Sequence, residues 1–135
     1  MGWSAAGAGA VALALAVAAG PVVACPLVRA DGALLSEGAV QLAWRTEPAT
    51  PVQGQPFLLF LRTCPANAAL LKVDARMPEH RHGMNYRPAL LPLGDGRWRV
   101  EGLLWHMSGR WEWRFDVRSD SSAAVQSLRT SVVLP

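Results

Sequence analysis

Residues 110–118 read R-W-E-W-R-F-D-V-R. Trp111, Trp113, Phe115 and Val117 share one parity, and five charged side chains share the other. Successive side chains of an extended strand point to opposite faces, so this unbroken period of two predicts a half-buried β-strand. The pattern recurs outward along the chain. Val40, Leu42 and Trp44 alternate with Gln41, Ala43 and Arg45, and Leu71, Val73 and Ala75 with Lys72, Asp74 and Arg76. Residues 57–61 form a continuous apolar run, which suits a central strand covered on both faces. Residues 97–101 alternate until Gly102, where a bulge or bend is expected.

Turn residues separate these runs at 50–54, 94–96 and 108–109. No stretch beyond the amino-terminal segment sustains a helical period. The expected strands are 39–46, 55–63, 69–76, 88–93, 96–105, 110–118 and 124–134. About seven short strands at this spacing predict an all-β, immunoglobulin-like two-sheet sandwich, with a small barrel as the alternative. Trp44, Trp98, Trp111 and Trp113 are expected to fill much of the core, each large aromatic contributing about 2–3 kcal/mol before entropy is counted.

Residues 5–19 contain only Ala, Gly, Val and Leu, and no charged side chain precedes Arg29. The run is short and Ala-rich for a spanning helix, which needs about 20 apolar residues. It suits a secretory signal over residues 1–24, with small or modest residues at Val22 and Ala24 for a cut before Cys25. No Lys or Arg precedes the run, so an uncleaved anchor is the competing reading. Cleavage leaves one domain, residues 25–135, with no membrane span, in a periplasmic or other extracytoplasmic space.

The net charge is +3, and twelve of the thirteen basic residues are Arg. They alternate with aromatics along strands instead of forming a run. Solvated sheet faces explain them better than a nucleic-acid surface. Cys25 and Cys64 are the two cysteines. In an oxidising compartment an even pair is expected to bridge, closing about 40 residues and stabilising by roughly 3–4 kcal/mol in the chain-entropy model. The sequence before Cys25 also loosely matches a lipobox, so a lipoprotein with Cys25 acylated stays open.

Residues 77–84 read M-P-E-H-R-H-G-M. Beyond the initiator, every His and Met lies in this segment or in the pair His106-Met107. Pro78 ends strand pairing and Gly83 permits a positive φ, so the segment reads as a shaped loop. His106-Met107 lies in a second loop, and sandwich loops gather at two ends. With spacing of two, an extended backbone would aim His80, His82 and Met84 to one side. His106 or Met107 could complete a shell. Thioether and imidazole together select copper, mainly Cu(I); Glu79 leaves Cu(II) or zinc open. The competing reading makes the loop purely structural, with Met77 in the core and Tyr86 and Trp105 as partly exposed anchors for a protein partner. No nucleophile stands beside a base and no phosphate loop is present, so no enzyme is expected.

Residues 77–84, then Gly96-Arg97-Trp98, then Met107-Ser108-Gly109-Arg110-Trp111, resemble the YtkA-like domain family. That family shows an M-P-x-H-x-H-G-M-type segment, a later G-x-Y/W strand and an M-x-G-x-W strand start. The resemblance covers roughly residues 39–118. It implies an exported β-sandwich and points towards copper handling, with a copper-acceptor or respiratory oxidase assembly protein as partner. Carried over by position, it again implies His80, His82 and Met84 as ligands. Trp98 stands where an aromatic is expected and Ser108 where proline is common.

Overall fold

The computed structural model describes residues 1–2 and 25–135. The expected signal segment therefore falls almost wholly outside the described residues. Among the described residues nine strands form: β1 (Ala33–Glu37), β2 (Val40–Glu47), β3 (Pro56–Cys64), β4 (Ala69–Met77), β5 (His82–Gly83), β6 (Ala89–Gly94), β7 (Arg97–Leu104), β8 (Gly109–Arg118) and β9 (Gln126–Leu134). They make two antiparallel sheets, in the orders β1-β2-β3-β7-β6 and β5-β4-β8-β9. The architecture is the expected two-sheet sandwich. All seven expected strands are present, displaced at their ends by at most two residues. The two additions are short. β1 is an edge strand whose A-L-L-S-E sequence has no clean alternation, and β5 has only two residues.

The parity read from residues 110–118 is the parity of the core. Trp111, Trp113, Phe115 and Val117 have no measurable exposure, while Arg110, Glu112 and Arg114 are partly exposed. Opposite them the first sheet contributes Val40, Leu42, Phe57, Leu59, Leu61, Val100 and Leu103. Trp44 and Trp98 are only partly buried and pack against this cluster from its margin. The bulge expected near Gly102 is present. Phe57 pairs with Leu103 and Leu59 with Val100, so Glu101 and Gly102 together face Leu58.

The arginines of the second sheet line a solvated face, as their alternation predicts. Arg76 and Arg129 both bond Glu112, and Arg114 bonds Asp116. Burial pushes the Asp116 carboxyl up, but hydrogen bonds from Arg114 and Ser127 outweigh it and hold the group below its ordinary value.

Cys25 and Cys64 form a disulfide across 39 positions. Cys64 is the last residue of β3, and Leu27 packs with Ala43 and Cys64 in a small second core. The bridge is compatible with an extracytoplasmic location. Among the described residues no helix is long and apolar enough to cross a membrane.

Candidate metal centre

Three connections meet at the end of the sandwich opposite the disulfide. Pro56, at the start of β3, pairs with Leu104, at the end of β7. The β7–β8 crossing carries Trp105, His106 and Met107. The β2–β3 loop is tied to it, because Gly54 N–H donates to the Trp105 carbonyl at 2.8 Å and the Gln53 side-chain amide to the His106 carbonyl at 3.2 Å. The third connection is the M-P-E-H-R-H-G-M segment. It is not extended, contrary to the spacing-of-two reading. Pro78 opens a single 3-10 turn, Pro78–His80, and Arg81 takes a left-handed conformation with φ 53°. The chain reverses, and His82 and Gly83 pair back onto Met77 and Arg76.

Gly83 is needed for a reason other than the expected positive φ. A Cβ there would lie 3.1 Å from the Ala75 carbonyl oxygen, tighter than the ordinary approach of a side chain to a neighbouring strand. Glu79 is engaged by Arg110 at 2.6 Å, and that hydrogen bond holds its carboxyl below the usual value. The pair pins the turn to β8.

The reversal brings His82 towards His106 but not towards Met84, which an extended loop was expected to aim to the same side. The ring centres of His80 and His82 are 5.7 Å apart, and those of His82 and His106 are 5.3 Å apart. An imidazole nitrogen about 2.0 Å from an ion has its ring centre about 3.1 Å away, so two rings on one tetrahedral ion stand about 5 Å apart. The tightest pair is thus His82 with His106, one from each loop. His80 is exposed at the rim.

The nitrogens are differentiated. His82 Nδ1 lies 3.2 Å from the His80 carbonyl oxygen. A carbonyl only accepts, so in the neutral ring Nδ1 carries the proton and Nε2 keeps its lone pair. That Nε2 is buried and has no hydrogen-bond partner. His106 Nδ1 is in the same condition. Buried polar atoms are seldom left unpaired, so two of them on neighbouring rings single out this spot as the candidate site. A backbone carbonyl holding the far nitrogen is also the usual support for an imidazole ligand.

The methionines divide. Met77 is fully buried in the core. Met84 packs against the core from the groove between β4 and β6, beside Leu71, Val73 and Tyr86, whereas His82 lines a different groove with Met77, Pro78 and Arg81. Met107 is partly buried next to His106, and its carbonyl accepts the Trp111 indole N–H at 3.0 Å. Among the described residues no three His, Cys, Asp or Glu side chains form a group fit to hold an ion.

Two residues expected as exposed anchors are committed elsewhere. Trp105 is 2 % exposed, because it packs on Phe57, Trp111 and Trp113 with ring centres 4.6–5.2 Å away. It is a core residue, correcting the expected interface role. Tyr86 is half-buried, and its hydroxyl donates to the Leu104 carbonyl. Sequence reasoning assigned Trp111 to the core alone. It also stands edge-on to His106 and His82, at 5.1 Å and 6.4 Å between ring centres. The signal was its place at the end of the M-S-G-R-W segment.

No protein-family model matches the chain, and no curated protein or solved structure gives a significant match.

Proposed function

We propose that the protein is an exported, non-catalytic domain that binds copper and hands it on. The observation that carries the reading is the pair of buried, unpartnered nitrogens, His82 Nε2 and His106 Nδ1, on rings 5.3 Å apart. These two would hold the ion. His80 at the rim and the thioether of Met107 are the remaining donors, since Met84 lies in a different groove. Imidazole and thioether together favour Cu(I) over harder ions. The half-exposed position of His82 and His106 suits ligand exchange with an acceptor.

The resemblance of residues 77–84, 96–98 and 107–111 to the YtkA-like domain family supports the same reading. It also supports a periplasmic setting, with a copper-acceptor or respiratory oxidase assembly protein as partner. The test is a Cu(I) titration of the purified protein against a competing chelator, beside His80→Ala and the double variant His82→Ala/His106→Ala. The double variant should lose at least 10-fold in affinity and His80→Ala less. Equal affinity in wild type and double variant removes the site.

A further inference from the structure

We infer that Trp111 is the positioning residue that holds His82 and His106 as a chelating pair, an inference that rests on the copper reading of this site. The two histidines come from connections far apart in sequence, and neither His82 Nε2 nor His106 Nδ1 is tied to protein. The exposed bond from His82 Nδ1 holds one ring only, so packing must set the placement of the two rings relative to each other. Trp111 touches each of them. Its plane is nearly perpendicular to both imidazoles, at 81° to His106 and 76° to His82. Edge-to-face packing of this kind sets ring orientation as well as distance. The indole N–H is spent on the Met107 carbonyl, one residue from His106, so the ring also anchors the loop that carries the second ligand.

Trp111 itself has little freedom. It is fully buried on β8, flanked by Trp105 at 4.6 Å, and its strand is paired to β9 at Val132. It is a rigid support of the kind that raises ligand affinity by pre-setting ligand geometry.

Trp113 offers a matched control. It lies on the same strand and face, is equally buried, and packs on Trp44, Phe57, Trp105 and Phe115, with no histidine among these ring contacts. The experiment compares Trp111→Phe and Trp113→Phe with the wild-type protein by two measurements. One is Cu(I) affinity by chelator competition. The other needs no metal: the cross-relaxation between ring protons of His82 and His106 in protein with labelled histidines.

Trp111→Phe should weaken Cu(I) binding by 10-fold or more and abolish the His82–His106 cross-peak, while Trp113→Phe keeps both. If Trp111→Phe retains the affinity and the cross-peak, the inference is overturned and the copper reading stands. Equal losses in both variants also overturn it, since they reflect general loosening. If wild-type protein takes up no copper yet only Trp111→Phe loses the cross-peak, the copper reading falls and the positioning role stands.

Discussion

If His82 Nε2 is a copper ligand, as proposed, its lack of a partner should be a liability when no ion is bound. In His82→Leu a side chain of similar bulk replaces the imidazole. A buried acceptor without a partner costs about 1–3 kcal/mol. Against this, the substitution gives up the Nδ1 bond to the His80 carbonyl, an exposed contact at 3.2 Å contributing about 0.5 kcal/mol. The copper-free variant should therefore be more stable than wild type by about 1 kcal/mol, or about 4 °C in melting temperature for a domain of this size. With free Cu(I) at about 100 times its dissociation constant, wild type gains about 2.7 kcal/mol and a variant that no longer binds gains nothing. The order of stabilities then inverts.

The assay is thermal unfolding followed by far-ultraviolet circular dichroism, with and without chelator-buffered Cu(I). A copper-free His82→Leu protein less stable than wild type by more than about 1 kcal/mol would refute the reasoning, because His82 Nε2 would then hold a structural bond.

Removing the disulfide in Cys25→Ala/Cys64→Ala should cost about 4 kcal/mol by chain entropy for a loop closed across 39 positions, read by urea denaturation, and leave Cu(I) affinity unchanged because the bridge lies at the other end of β3. Gly109→Ala should destabilise by about 1–3 kcal/mol, since Gly109 has φ +116° and a Cβ there would lie 2.9 Å from Met77 Cε; a neutral effect in thermal melts would refute both the backbone strain and the clash. Asp116 is held below its ordinary carboxylate value in the folded protein, so its contribution is present above about pH 4 and is lost as pH falls through the depressed value. Asp116→Asn should flatten that part of the acid limb of the stability curve, and an unchanged limb in acid titration refutes the assignment.

Alternation is a local property, and that is why residues 110–118 announced both their strand and its buried face. The side-chain period of two reports solvent on one side and core on the other, whichever partner supplies the core. The disulfide was legible for a similar reason, since two cysteines in one small oxidised domain leave a single pairing. The residues of the candidate site were legible in the clustering of every His and Met beyond the initiator.

The site's geometry was not legible. Its ring spacing depends on a left-handed Arg81 and a chain reversal onto Met77 and Arg76, where residue spacing favoured an extended segment. The roles of Trp105 and Trp111 depend on which rings meet across the sheets. Distances between segments far apart in sequence follow from packing of the whole core, and no periodicity within either segment encodes them.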